Sequence, residues 1–277
     1  MSTKVVLLGT GTPNADPNRM GPSLAVIVGE VPYIVDFGPG IVRRAAAAEQ
    51  LGISALAVKN LQTAFLTHLH SDHTTGYPDL MFTPWVLGRK KPLQVFGPPG
   101  LNDMTRHILA AYSMDRDARV CGFEPINPDA YGAISHEIEP GLIFENDHLQ
   151  VEAFGVEHGE GWLALGFQFT TTDRRIVISG DTAPLDAHID LWRGCDLLVH
   201  EVYSQKAYLQ RSEKWQNYHA HMHTSTTQLA EIANQVQPKK LVLTHLLLWG
   251  RSEIELVAEI KETYSGEVIC GEDLGVY

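Results

Sequence analysis

Thr67-His68-Leu69-His70-Ser71-Asp72-His73, which follows directly on the strand-like Ala64-Phe65-Leu66, is the stretch that decides the fold. The chain has 13 histidines, and three of them fall in this one short stretch. In an extended backbone successive side chains alternate sides, so His68 and His70 leave on the same side, while Asp72 and His73 come where the chain turns. Imidazoles and a carboxylate gathered at a strand end are metal-ligand chemistry, and their splay suits two metal positions better than one. With no thiolate nearby the donors favour zinc, and manganese or iron accept the same groups. Cys121, Cys195 and Cys270 are far apart and form no C-x-x-C pair, so they read as reduced thiols rather than a disulfide frame.

Outward from this motif, short apolar runs rich in β-formers predict strands at Val5 to Leu8, Leu24 to Val28, Tyr33 to Val35 and Leu93 to Phe96. Further strands are predicted at Leu149 to Phe154, Ala164 to Phe169, Ile176 to Ile178, Leu197 to Val199, Leu241 to Leu243 and Val268 to Ile269. Helical spacing is read at Ile41 to Gln50, Leu101 to Tyr112, Tyr203 to Lys214, Thr226 to Val236 and Ile254 to Thr263. Within the fourth of these, Leu229, Ile232, Ala233 and Val236 share one face behind Ser/Thr caps. Closely spaced strands first, then alternating strand and helix, indicate the α/β class in one domain spanning 1–277. Asp115 to Gly141, with Pro125, Pro128 and Pro140, reads as irregular connection and receives no role.

The 277 residues, 44% hydrophobic, suffice for a sizeable core. A formal charge of −12, with no Lys/Arg block longer than Arg89-Lys90-Lys91, argues against gripping a long polyanion by counterion release. No apolar run approaches the roughly 18 residues that span a bilayer, and Met1-Ser2-Thr3-Lys4 leads straight into a short strand, so a cytoplasmic protein without membrane attachment is expected.

Four more segments occur in a telling order. Tyr33-Ile34-Val35-Asp36-Phe37-Gly38 precedes the histidine motif, and Val156-Glu157-His158-Gly159, Ser179-Gly180-Asp181-Thr182 and Leu243-Thr244-His245 follow it. From Val5 to Leu246 the chain thereby resembles the metallo-β-lactamase superfamily. The resemblance implies an αββα sandwich of two mixed β-sheets with helices on the outer faces. It also implies two zinc ions, one held by His68, His70 and His158, the other by Asp72, His73 and His245, with Asp181 bridging. Asp36 would orient ligands through hydrogen bonds.

Three features look like the branch that holds ribonuclease Z, small phosphodiesterases and zinc arylsulfatases. They are Gly9-Thr10-Gly11-Thr12-Pro13 with Arg19 and Gly21, the pair His200-Glu201, and His221-Met222-His223-Thr224-Ser225 opening a helix. The glycines do not make a dinucleotide fingerprint, because Asn14 stands where the third is needed, so a tight loop near the site is expected. By position, Glu201 and His223 would deliver a proton to the departing oxygen. Val202-Tyr203 replaces the usual Ala-Thr of ribonuclease Z after His-Glu, and His223-Thr224-Ser225 replaces His-Ser-Thr. Only 22 residues separate His158 from Asp181, too few for the tRNA-gripping arm of long-form relatives.

Two divalent ions, ionised Asp72 and Asp181 and a bridging hydroxide leave a local charge of about +1, which matches a singly charged reacting group. The sequence therefore ranks first a dinuclear-metal hydrolase of small anionic esters, phosphodiester or aryl sulfate, acting by attack of the bridging hydroxide, with Asp72, Glu201 and His223 as catalytic residues. Ribonuclease Z-type cleavage of tRNA 3′ ends, with a nucleic-acid partner, ranks second. A lactone or thioester hydrolase, or a non-catalytic metal-binding protein on this fold, ranks third. Dimers are common among relatives of the branch, so a homodimer is compatible with the resemblance. Trp162, Trp249, Trp85, Phe82 and Tyr77 lie near presumed ligands and offer an apolar pocket, although core packing is the commoner fate of such residues.

Overall fold

The β-branched runs of the first third close into a meander because each ends at a turn residue. Thr3–Gly9 (β1) pairs antiparallel with Ser23–Val28 (β2), which pairs antiparallel with Val31–Val35 (β3). Thr63–Phe65 (β4), Leu93–Gly97 (β5) and Ala133–Glu137 (β6) then add in parallel, giving a mixed six-stranded sheet in the order β1 to β6. Parallel pairing needs crossovers, and helices lie in all three of them. Ile41–Gln50 (α1) leads from β3 toward β4, and Leu101–Ala111 (α4) and Ser113–Val120 (α5) lie between β5 and β6. Ser71–Thr74 (α2) and Tyr77–Val86 (α3) follow β4.

This computed structural model describes residues 2–277, and the chain falls into two compact units. The first runs to Ile138 and takes back Asp273–Tyr277; the second is Glu139–Glu272. In the second unit Gly141–Asn146 (β7), Leu149–Val156 (β8), Ala164–Thr171 (β9) and Arg175–Ile178 (β10) form an antiparallel run. Leu197–Tyr203 (β11), Leu241–Leu247 (β12) and Val268–Cys270 (β13) continue from β10 in parallel, completing a mixed seven-stranded sheet. Its helices are Ile189–Trp192 (α6), Gln205–Tyr208 (α7), Glu213–Met222 (α8), Thr226–Val236 (α9) and Glu253–Lys261 (α10). Among the described residues no helix is long and apolar enough to cross a membrane.

Each unit buries its own apolar cluster. Leu8, Ile34, Phe37, Ile41, Leu66, Leu80 and Met81 pack together in the first, and Phe154, Trp192, Leu198, Leu229, Leu243 and Ile260 in the second. On α9 the predicted face of Leu229, Ile232, Ala233 and Val236 is buried, and Ser225 caps the helix with Gln228 in a reciprocal capping box. Tyr77, Phe82 and Trp85 are buried in the first unit, so these three aromatics serve the core rather than a pocket.

Two local expectations differ from the structure. Tyr203–Lys214 is not one helix: β11 runs on to Tyr203, a four-residue turn of helix follows, and the regular helix begins at Glu213. Aromatic Tyr203 is fully buried and pairs in the ladder, which overrides its helical spacing. Asp115 to Gly141 is only partly irregular, since it includes most of α5 and all of β6. Helix α5 buries no residue and β6 is only half-buried, so neither carries the apolar periodicity that marks an element in sequence.

Candidate metal centre

In the first unit the histidine motif sits at the carboxyl end of β4, where ligands gather in sheets of parallel strands. His68 Nε2 and His70 Nδ1 are 2.9 Å apart, so the two imidazoles converge as the extended spacing requires. The chain then turns: Asp72 and His73 lie in α2, and His73 Nε2 is 3.6 Å from Asp72 Oδ2.

Asp36 organises these rings from the end of the neighbouring strand β3. Its φ of 58° puts it in the left-handed region, which Asp tolerates better than most residues. The carboxylate accepts from the Thr67 amide at 2.8 Å, from Thr67 Oγ1 and from His73 Nδ1 at 2.8 Å. With Nδ1–H given to Asp36, His73 keeps Nε2 as its donor atom. Thr67 Oγ1 is also 3.0 Å from His68 Nδ1, which fixes that ring and leaves its Nε2 toward His70. Thr67 is a functional residue that sequence reading did not single out, although it directly precedes the motif at the strand end.

The loop from Thr10 to Gly21 borders the same site. Asp273 anchors it by accepting from Thr10 N at 3.0 Å and Met20 N at 2.8 Å, while Arg19 donates to Thr10 Oγ1. A pocket of about 290 Å³ opens between this loop and α2, with Asp72 and Arg19 in its wall. The glycines permit close backbone approach: a Cβ on Gly38 would stand 2.5 Å from the Asp72 carbonyl oxygen.

In the second unit the candidate residues again lie at carboxyl ends of parallel strands. Asp181 follows β10, Glu201 is within β11 and His245 within β12. His158 lies just past β8, which runs in the same direction as β10 because β9 is antiparallel to both. The Ala183 amide donates to Glu157 O at 2.7 Å, tying the loop after β10 to the loop after β8. His245 Nε2 is 3.2 Å and His158 Nε2 4.0 Å from Asp181 Oδ2.

The ladder between β11 and β12 explains how His245 reaches Asp181. Glu201 pairs with Thr244 and Val202 with Leu246, so His245 is an extra residue bulged from the register, with φ 45°. Such a bulge re-aims a side chain out of the sheet, and the strained backbone costs on the order of 1–3 kcal/mol. His158 Nδ1 donates to the Met222 carbonyl at 2.7 Å, which leaves Nε2 directed at Asp181.

Glu201 and His223 are also brought together. Glu201 Oε1 accepts from Thr224 N at 2.8 Å and Thr182 N at 3.3 Å, and Oε2 lies 3.4 Å from His223 Nδ1. Burial first, then the charge of Asp181, push the Glu201 carboxyl well above the ordinary carboxylate range. His200 is fully enclosed, gives Nδ1–H to the Glu201 carbonyl at 2.6 Å and is pushed down to about 4, mainly by burial. Of the other histidines near His223, His219 is buried and His221 lies exposed at the end of α8.

The donor chemistry fits divalent metal. The buried imidazoles of His68, His73 and His158 each have one nitrogen tied to an oxygen and the other turned toward a carboxylate or a second ring, the arrangement metal-ligating histidines show. Within the second unit alone, donor atoms of His158, Asp181 and His223 lie within 4.8 Å of one another, as do those of Glu201, His223 and His245.

The model of a beta-lactamase superfamily domain matches residues 33–246, most of the chain. The chain belongs to this superfamily. Curated superfamily relatives align almost end to end. A protein named Ribonuclease Z from Mycobacterium bovis (strain BCG / Pasteur 1173P2) is 30% identical over 276 residues, 98% of this chain and 96% of the relative. Another of that name, from Mycobacterium avium (strain 104), is 32% identical with the same coverage. Among solved structures, the metallo-β-lactamase fold protein YhfI from Bacillus subtilis superposes over the whole of both chains with a TM-score of 0.76 at 18% identity. The short form of human tRNase Z covers 99% of this chain and 98% of its own, with a TM-score of 0.73 at 23% identity. The two mixed sheets with their helices are thus the metallo-β-lactamase fold, and the chain is a hydrolase-superfamily member of the ribonuclease Z-like branch.

Proposed function

We propose that this protein is a metal-dependent phosphodiesterase of the ribonuclease Z type, cutting RNA at tRNA 3′ ends. The observation that carries the reading is the end-to-end alignment with relatives named Ribonuclease Z. It reverses the order expected from charge alone, which put small esters first. The short span between His158 and Asp181 does not weigh against RNA as the sequence suggested, because relatives of that name match this chain over 96% of their own length.

His68, His70 and His158 are assigned to one metal and Asp72, His73 and His245 to the other, with Asp181 shared; zinc suits these donors best. Divalent ions held there would supply Lewis acidity and a nucleophile drawn from water at neutral pH. The chain's own groups do the rest. Glu201, pinned by the Thr224 and Thr182 amides, sets Oε2 3.4 Å from His223 Nδ1, and the ring's Nε2 is the nitrogen that would protonate the departing oxygen. Asp36 and Thr67 keep His73 and His68 in the tautomers that present Nε2.

A second reading, hydrolysis of small phosphodiesters or aryl sulfates, is favoured by the formal charge of −12. Metal-loaded protein should therefore be given precursor tRNA, bis-p-nitrophenyl phosphate and p-nitrophenyl sulfate side by side. Cleavage of the tRNA at its 3′ trailer is expected, abolished by Asp72→Ala. Turnover of the small esters with intact tRNA would promote the second reading, and no turnover above the Asp72→Ala rate on any of the three would remove both.

A further inference from the structure

Helix α8, the segment just before it and the turn just after β12 assemble an aromatic cluster that supplies no proposed metal donor. The Arg211 guanidinium carbon stands 5.4 Å from the ring centre of Trp215 and 4.7 Å from that of Trp249, so the cation is held against two indoles. Its Nε is buried with no hydrogen-bond partner, and among the described residues no carboxylate pairs with it. Trp215 leaves 49% of its surface in solvent and neighbouring Tyr218 42%. Trp249 is held with φ 44°, a conformation a bulky residue adopts only when its surroundings impose it. The cluster is continuous with the proton-delivery pair: His219 stacks on Trp215 at 5.6 Å, lies 4.4 Å from Trp249 and 5.8 Å from His223.

A half-exposed indole and a partly buried one, grouped with a guanidinium that lacks an anionic partner, leave an apolar face that a flat ligand can cover. Aromatic faces and guanidinium planes are what unpaired nucleobases stack on, and such stacking does not depend on which base is presented.

We propose that Trp215, Trp249 and Arg211 form a stacking subsite for a planar ring joined to the reacting ester, a nucleobase of the RNA substrate. An aryl leaving group offers the same π-face. The subsite deepens the ribonuclease reading and rests on it for the source of the ring, but its binding can be read without turnover.

Metal-loaded protein is titrated with 5′-AMP, ribose 5-phosphate and phenyl phosphate, following tryptophan fluorescence and calorimetric heat. The subsite predicts that 5′-AMP binds more tightly than ribose 5-phosphate, and that Trp215→Ala weakens 5′-AMP roughly 5- to 100-fold while leaving ribose 5-phosphate unchanged. Trp215→Phe should retain most of the affinity, and Arg211→Lys, which keeps the charge but not the plane, should lose part of it. Phenyl phosphate binding as tightly as 5′-AMP would assign the ring to an aryl ester instead of a base. Equal affinity for 5′-AMP and ribose 5-phosphate, or an unchanged 5′-AMP affinity in Trp215→Ala, would overturn the subsite. Because these are binding measurements, a protein that stacks 5′-AMP yet cleaves no RNA would reject the proposed function and keep the subsite.

Discussion

Single side chains divide here into those that present donor atoms and those that hold the presenters. Asp36 is the clearest holder, since one carboxylate serves the Thr67 amide, the Thr67 hydroxyl and His73. Asp36→Asn removes most of that accepting capacity and is expected to lower metal affinity by about 10- to 100-fold with the ligands themselves intact. Competition with a chromophoric chelator measures this; wild-type affinity in the variant would show that the rings are oriented without Asp36. His200 makes a separate prediction. Its folded value of about 4 lies below the ordinary 6.5, so the unfolded chain takes up more protons between those values. Stability therefore rises with pH across that window and is lost as pH falls toward 4, by as much as about 3 kcal/mol. His219, also pushed down to about 4 by burial first, adds in the same sense. Urea melts of wild type and His200→Gln from pH 4 to 7 should show a shallower dependence in the variant; parallel curves would mean that His200 is not the group titrating. At this scale His68, His70, Asp72 and His73 were legible because four donors sit in one short stretch. The Met222 carbonyl that orients His158 was not, because a main-chain oxygen 64 residues away leaves no mark on composition or spacing.

Among elements, the strands that carry the donors were the most legible, since β-branched runs closed by Gly, Asp or Pro are local signals. Registers were not. Nothing in Leu243-Thr244-His245 announces that His245 is the bulged residue, because the bulge exists only against the pairing partner β11. Helix α3 was missed for a related reason: it is apolar nearly all round and contains Pro84, so it lacks the one-sided pattern of a surface helix. The turn that joins α2 to α3 is where packing is least forgiving. A Cβ on Gly76 would lie 2.3 Å from the Gly38 carbonyl oxygen and 2.7 Å from that of Phe37, and main-chain atoms cannot rotate away. Gly76→Ala must therefore displace the Asp36–Gly38 loop, and a destabilisation of about 2–4 kcal/mol with weakened metal binding is expected. Gly155→Ala, whose nearest neighbour would be Pro140 Cγ at 3.8 Å, is the matched control and should change stability by less than about 1 kcal/mol. Thermal melts of both decide the point, and a Gly76→Ala protein as stable as the control would show that the loop yields freely.

For the molecule as a whole, the formal charge of −12 has to be reconciled with the proposed RNA substrate. The structure shows where much of the positive charge has gone. Arg89, from the longest basic block in the sequence, is buried, donating to the carbonyls of Leu80, Met81 and Gly132. At the surface, Arg43, Arg116, Arg119, Arg193, Lys206, Lys239 and Lys240 each lie against a carboxylate. Carboxylates beside these cations reduce what each gains from a phosphate backbone, so on the proposed function recognition is expected to rest on the reacting phosphate and on stacked bases more than on a charged track. Counterion release makes that quantitative. A protein contacting 6–10 phosphates loses roughly 10³- to 10⁵-fold in affinity between 50 and 200 mM salt, whereas two or three contacts to a single strand cost only about 10-fold. The KM for precursor tRNA, measured across that salt range at fixed metal concentration, is expected to rise by no more than about 20-fold. A rise of a thousandfold or more would reveal an extended electrostatic interface and overturn this expectation.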